Sequence, residues 1–590
     1  MIERMKRARR VAHPTPGAQR VRRRSHVPCR ADNNINPARA AIEMSRKRLT
    51  ITGAILTLAF CVIGLRLVDV SLMQAAVEPR VAFASKAASL QFARADIVDR
   101  NGVLLATSLP TASLYADPRQ VLDPIVAAKR LAETLPDVDE KKLAARLASK
   151  RGFVWIKRHL TPRQKWDVIR LGLPGIELFR REEKRVYPQG RLMSHLVGYV
   201  DVDDNGIAGI ESRFESELKS RTKPLALSID IRMQHALCDE LGAAKEEFEA
   251  LGAAGLVLDA RTGEVAAMCS LPDFNPNTPM ATKGTSRFNR VAHGVYELGS
   301  AFKVFTTAMV LDAGVARLED RYDATKPLKV SRFTISDYHA KRRWLSVSEI
   351  FMYSSNIGSA RLALEVGGEA QKAFLGNIGL LTPSEIELPE VGAPIVPGVW
   401  RPVNTMTIGF GHGIAVSPLQ MAAGVAAMVN GGLYRQPTLI KRAPGQTALE
   451  KRVISERTSE KMRKLMRLVV EEGTGSRADA PGYLVGGKTG TAEKSKIGGY
   501  RRKALLSSFV GTFPVDEPRY VVFALLDEPK GNKKTHGYAT GGWVAAPIVG
   551  RVVRRIGPIA GIRPYENEVP PIRRDLAMDW TPGARTLASY

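Results

Sequence analysis

Three short motifs in a fixed order constrain this chain more than anything else in it. Ser300-Ala301-Phe302-Lys303 comes first, Ser354-Ser355-Asn356 second and Lys488-Thr489-Gly490 third. Each alone is weak, since Ser-x-x-Lys recurs at Ser216 and at Ser220. Together and in this order they mark an active-site serine that forms an acyl-enzyme. The fold must therefore bring segments far apart in the chain to one cleft.

The chemistry asks for these residue types. A serine hydroxyl is a poor nucleophile until a base removes its proton. Lys303 stands three residues after Ser300, one turn away on the same face of a helix. An amine is a base only when neutral, and both burial and a neighbouring cation lower a lysine pKa. Lys488 is the candidate for that cation. The Ser354 hydroxyl can pass a proton to the leaving group, and the Asn356 amide can hold Lys303 or a substrate backbone. Thr489 and Thr491 offer hydroxyls to a substrate carboxylate beside Lys488. The backbone N–H groups of Ser300 and Thr491 are the expected oxyanion hole. A serine that merely caps a core helix and a lysine on a solvated strand would explain one motif, but not three in order.

Local patterning agrees. Phe302, Phe305, Met309, Val310 and Leu311 predict an apolar helix opened by Ser300 and closed before Gly314. Residues 483–492 predict a strand in which Gly486, Gly487 and Gly490 leave room for a substrate backbone.

The chain has 590 residues, enough for two or three domains, and a formal net charge of +28. Residues 1–48 hold fourteen Lys or Arg against Glu3, Asp32 and Glu43. They carry Arg clusters but no nucleic-acid-binding motif, so a disordered cytoplasmic tail is expected. The uncharged run 49–65 follows, and 49–73 predicts a transmembrane helix. Arg46, Lys47 and Arg48 would keep the N-terminus inside. A cleaved signal peptide is the rival reading, against which the basic lead is too long. Cys238 and Cys269 would face the oxidising side, where pairing and burial as free thiols are equally open. No zinc spacing occurs.

Residues 74–225 predict strands about a turn at 99–102, helices at 123–135 and 140–149, and turns at 187–190 and 203–206. Their carboxylates are scattered and His195 has no obvious partner, so this is a pedestal for protein contacts rather than chemistry. From 226 on, a strand at 225–229, a helix at 233–250, hairpins over 254–270 and 505–526 and the Lys488 strand predict an antiparallel sheet flanked by helices. The fold class is α+β, with 226–557 as the chemical domain and 558–590 as a loose tail.

Further matches lie outside the trio, at 94–102, 185–190, 195–199, 206–211, 228–234, 258–264, 411–420 and 472–475. With them the chain resembles the class B penicillin-binding proteins, most closely the cell-division type, over residues 46–557. Leu298 stands where the family often has proline, and Ala95 where glycine is usual; neither touches a catalytic group. The resemblance implies a penicillin-binding transpeptidase fold on an elongated pedestal. It implies a D,D-transpeptidase that cross-links peptidoglycan stem peptides ending in D-Ala-D-Ala, inhibited by β-lactams that acylate Ser300. Lys303 is then the base, Ser354 and Asn356 the relay pair, Lys488 a catalytic cation, and Thr489, Gly490 and Thr491 the substrate side. No cofactor or metal is implied. Implied too are a single-pass inner-membrane anchor, a periplasmic catalytic domain, a septal location, and an FtsW-type glycan polymerase with other divisome proteins as partners. An elongation enzyme is the close alternative; a penicillin sensor, a β-lactamase and a catalytically dead scaffold are the remoter ones.

Overall fold

The computed structural model describes residues 37–68 and most of 94–565. The chain divides into two units, Met1–Leu90 and Gln91–Tyr590.

In the first unit, helix α1 (Pro37–Val68) begins inside the segment expected to be disordered, so residues 37–48 are helical and residues 1–36 lie outside the described residues. The expected span over 49–73 is helical as far as Val68, and 69–73 lie outside the described residues. Ile55, Leu58 and Phe60 on this helix are exposed. Among the described residues no helix is long and apolar enough to cross a membrane.

The second unit starts with strands β1 (Ile97–Val98), β2 (Leu104–Ala116), β3 (Val154–Leu160), β4 (Ile176–Val186) and β5 (Leu225–Ala226). Long strand β2 organises them: it pairs antiparallel with β1 at one end and with β3 and β4 at the other, while β5 joins β1 in parallel. At the far end Leu114, Leu131, Leu143, Leu147 and Val168 form a small separate core. At the near end Ile97, Leu105, Tyr187, Leu196 and Ile210 bury in the same cluster as Leu256, Phe302 and Phe523, so pedestal and catalytic layers share one apolar core.

That junction also holds a buried ion group. Glu211 pairs with Arg94 at 2.6 Å and with Arg185 at 2.7 Å, all three side chains fully inaccessible. Arg94 also donates to the Glu211 carbonyl, and Arg185 to the carbonyls of Arg94 and Ala95. The three early motifs thus converge on one carboxylate. A buried charge is tolerated only when paired and hydrogen-bonded, which is the situation here.

Next come α2 (Ile231–Glu247), β6 (Gly252–Asp259) and β7 (Val265–Leu271). Asp230 caps α2 by accepting from the Arg232 N–H, which starts the helix earlier than its apolar pattern suggests. Asn101 donates to Asp230 and Asp99 accepts from the Ile231 N–H, so the 99–102 turn grips that cap. Cys238 and Cys269 form a disulfide between α2 and β7, with Cα atoms 5.5 Å apart, which decides the open question of their pairing.

The catalytic region adds α3 (Lys303–Asp312), α4 (Val347–Tyr353), α5 (Asn356–Val366), α6 (Pro418–Val429), α7 (Glu456–Glu471), β8 (Gly486–Lys496), β9 (Gly499–Phe513), β10 (Tyr520–Asp527) and α8 (Ala546–Ile559). The sheet runs β8-β9-β10-β6-β7, antiparallel throughout. Every residue of β6 and β10 is buried because helices cover both faces. The two-residue period of a strand divides them: Leu256, Val521 and Phe523 face one core, Val257, Val522 and Ala524 the other. Helix α6 is buried all round, as its unbroken apolar composition requires. Strand β8, which carries Lys488, is left at the sheet edge.

Other boundaries also differ from expectation, and the strand expected over 483–492 runs Gly486–Lys496. Only Leu225–Ala226 of the 225–229 strand is regular. The loose tail does not begin at 558, because α8 continues through Pro558 to Ile559 and Tyr565 packs on Leu484 and Val515. Residues 566–590 lie outside the described residues.

Candidate active site

Ser300 does not open an α-helix. It lies in a 3-10 turn, Gly299–Phe302, that runs into α3. At the entry to this turn Gly299 has φ +52°, and an added Cβ there would stand 2.6 Å from the Thr491 carbonyl oxygen. Only glycine lets the turn press against β8. The Gly299 N–H donates to the Gly411 carbonyl at 3.2 Å, which gives the 411–420 motif a task. Behind the turn, α3 is buried from Lys303 to Leu311.

Lys303 is fully buried beneath Ser300. Its Nζ lies 2.9 Å from Ser300 Oγ, 3.1 Å from Ser354 Oγ, 2.6 Å from the Ser354 carbonyl and 2.7 Å from Asn356 Oδ1. Burial drives its pKa well below the ordinary lysine value, the Lys488 cation lowers it further, and Asp337 opposes both. The neutral amine a base requires is thereby favoured. Lys488 is also fully buried, and burial brings it down to about 7. Its Nζ donates to Ser354 Oγ at 2.9 Å.

Ser354 ends α4 in the left-handed region, φ 60° and ψ 43°. A non-glycine residue there costs about 1–2 kcal/mol. The conformation leaves both the hydroxyl and the carbonyl of Ser354 on Lys303. Ser355 caps α5 by accepting from the Gly358 N–H. Its own hydroxyl donates to Asp337 Oδ2 at 2.8 Å, while Asp337 Oδ1 accepts from the N–H groups of Asn356 at 2.6 Å and Ile357 at 3.0 Å. Asp337 therefore anchors the segment that aims Ser354 and Asn356. Sequence reasoning missed it, because it sits in an irregular stretch with no motif of its own.

On β8, Thr489 Oγ1 lies 2.8 Å from Thr474 Oγ1, and Thr491 Oγ1 accepts from the Gly541 N–H at 3.0 Å. The glycines of β8 are packed closely by the protein itself. A Cβ on Gly490 would meet Ser508 Oγ at 2.4 Å and the Leu298 carbonyl at 2.5 Å, one on Gly487 would meet Phe509, and one on Gly486 Val515. Gly490 thus lets the Ser300 turn sit against the strand.

A cleft of about 830 Å³ opens over this group, with Ser300, Ser354, Asn356, Thr489, Thr491 and Glu493 on its wall. Lys303, Lys488 and Gly490 lie beneath that wall. All eight residues singled out in the sequence thus belong to one locality. His412, from the 411–420 motif, also lines the cleft, and burial followed by the Lys303 charge holds it down to about 4. His195 is elsewhere and does have a partner: its Nε2 lies 2.8 Å from the Ser286 carbonyl, and burial lowers it to about 4.

Residues 253–554 match the penicillin-binding protein transpeptidase domain, and residues 90–224 the penicillin-binding protein dimerisation domain. The chain belongs to the penicillin-binding proteins. Among the relatives of this penicillin-binding protein is the probable peptidoglycan D,D-transpeptidase FtsI of Caulobacter vibrioides, 44% identical over 491 residues, 81% of this chain and 83% of that one. The peptidoglycan D,D-transpeptidase FtsI of Escherichia coli K12 is 29% identical, over 80% of this chain and 84% of that one. The fold is that of penicillin-binding protein 3 from Mycobacterium tuberculosis complexed with aztreonam, with TM-score 0.64, 23% identity and coverage of 80% and 97% of the two chains. The transpeptidase domain of penicillin-binding protein 3 from Burkholderia pseudomallei aligns with TM-score 0.52 and 31% identity, over 57% of this chain and 97% of that one.

Proposed function

We propose that this penicillin-binding protein is an FtsI-type peptidoglycan D,D-transpeptidase that works through an acyl-enzyme on Ser300. The observation that carries the reading is Lys303 Nζ, buried, with a depressed pKa and 2.9 Å from Ser300 Oγ. Lys303 takes the hydroxyl proton as Ser300 attacks the carbonyl between the two terminal D-alanines of a stem peptide. The backbone N–H groups of Ser300 and Thr491 stabilise the oxyanion. Ser354, within reach of both lysines, passes a proton to the departing D-alanine, and Asn356 holds Lys303 in place. Lys488, Thr489 and Thr491 receive the terminal carboxylate, and Gly490 keeps strand and nucleophile turn together. The amine of a second stem peptide then displaces Ser300. A β-lactam enters as a mimic of the D-Ala-D-Ala end and leaves Ser300 acylated.

In the cell, residues 49–73 anchor the chain in the inner membrane, with 1–48 cytoplasmic and the remainder periplasmic. Residues 74–225 are the pedestal and 226–557 the transpeptidase domain. The uncharged run after Arg46, Lys47 and Arg48 supports this topology. The pedestal and the anchor bind an FtsW-type glycan polymerase and other divisome proteins at the septum.

Incubation of the full chain with a stem pentapeptide and an amine-bearing stem acceptor tests the activity. Released D-alanine together with a cross-linked dimer is the expected result. D-alanine release without dimer, or neither product, contradicts it. Depletion in cells is expected to give filaments; rounded cells would point to elongation instead.

A further inference from the structure

The reaction brings a cation to the acyl-enzyme, because the acceptor amine of a stem peptide arrives in water as an ammonium ion. The floor of the site is poor in groups that would welcome it. Lys303 and Lys488 lie under Ser300, and Arg477 is on the cleft wall. Only two carboxylates line the cleft among the described residues, Asp337 and Glu493. Asp337 is taken up by Ser355 and by the first N–H groups of α5.

Glu493 is placed differently. It follows Thr489 and Thr491 on edge strand β8 at the two-residue period that keeps side chains on one face, and all three line the cleft. Its Cα is about 7 Å along the strand from that of Thr491, whose carbonyl abuts Gly299 beside the nucleophile. The adjacent cation is drawn away: Lys494 Nζ donates to Asp527 at 2.8 Å and to Glu528 at 2.9 Å. Among the described residues no cation pairs with Glu493 itself. Glu493 is half-buried and faces Leu505 across the ladder, which also lines the cleft and gives the carboxylate an apolar flank. Regular pairing of β8 is broken just beyond it.

We propose that Glu493 is the acceptor-binding residue, whose carboxylate receives the ammonium of the incoming amine and orients it toward the Ser300 acyl carbon. The inference rests on the transpeptidase reading above. An anionic group here would repel a second carboxylate of the donor, so the position suits a cation. When the amine attacks, the new C–N bond replaces the C–O bond to Ser300. Of the three ammonium protons, one stays on the amide nitrogen, one returns to Ser300 Oγ and one goes to solvent.

The test uses the full chain in detergent, unsubstituted and as Glu493→Gln, with a D-alanyl thioester donor. Two acceptors are compared: Nα-acetyl-lysinamide, whose amine has a pKa of about 10.4 and is charged near neutrality, and hydroxylamine, which is neutral there. Fluorescent penicillin reports acylation of Ser300 independently. Loss of one charge-assisted hydrogen bond predicts about tenfold weaker transfer to the lysine amine, expressed in KM for the amine. Transfer to hydroxylamine and penicillin labelling should stay unchanged. Glu493→Asp should recover part of the loss. Equal lysine transfer by both proteins, at any level including none, overturns the proposal, and so does an equal fall with both acceptors. If the unsubstituted chain takes no penicillin, the transpeptidase reading falls and this proposal with it; normal labelling with unaltered lysine transfer removes the Glu493 proposal alone.

Discussion

Lys303 and Lys488 converge on one hydroxyl, with Ser354 Oγ 3.1 Å from the first amine and 2.9 Å from the second. Both amines are buried, and the charge on Lys488 bears on how readily Lys303 is protonated. Burial is the larger influence on Lys303 and the Lys488 charge the next.

Replacing Lys488 by Met removes a cation that lowers the Lys303 pKa, so that pKa must rise. At a given pH less of Lys303 is then neutral, and the acid limb of the penicillin acylation profile should move to higher pH. The pH dependence of the acylation rate reads this directly. A limb that stays in place would show that Lys303 is not the titrating base.

Asp337→Asn should move the same limb the other way. Asp337 raises the Lys303 pKa, so neutralising it lowers that pKa. It also withdraws a charged acceptor from Ser355, Asn356 and Ile357. Acylation should slow about tenfold, the scale of one charge-assisted hydrogen bond, with a stability loss of about 1–2 kcal/mol. Unaltered acylation, or a limb shifted upward, would refute the positioning role.

Glu211→Gln should leave chemistry alone and damage stability. The substitution strips the shared carboxylate from Arg94 and Arg185, whose side chains are fully inaccessible. Breaking a buried pair in this way costs about 3–5 kcal/mol. Urea unfolding of the two proteins measures it, and penicillin labelling in the cold should be normal. A loss below about 1 kcal/mol would place the group in surface-like surroundings.

The disulfide closes a short loop, with Cys238 and Cys269 separated by 31 residues. Loop-closure entropy assigns it about 3–4 kcal/mol. The double variant Cys238→Ser, Cys269→Ser should lose that much in urea unfolding and match the unsubstituted chain after reduction. Equal stability before and after reduction would contradict the link.

The site was legible in the sequence where its chemistry is short-range. Ser300 and Lys303 are three residues apart, and one helical turn brings them together whatever the rest of the fold does. Asp337 was not legible, because it sits in an irregular stretch 18 residues before Ser355 and acts through contacts no pattern marks. The glycines of β8 were visible, but their reason was not: Gly490 meets Leu298 and Ser508 only after distant segments have packed. The same holds for Arg94, Arg185 and Glu211, recognisable as separate motifs and explicable only as one buried ion group. The hairpins about β6, β7, β9 and β10 were readable from apolar runs and turn signals. The start of α2 and the end of α8 were not, since a cap at Asp230 and a helix running through Pro558 are decided by neighbours.

The decisive measurement for a Ser300 acyl-enzyme is fluorescent penicillin labelling of the full chain beside Ser300→Ala. A covalent label on the unsubstituted protein, mapped to Ser300, and none on the folded variant is the expected result. Label retained by Ser300→Ala, or absent from both folded proteins, would contradict it.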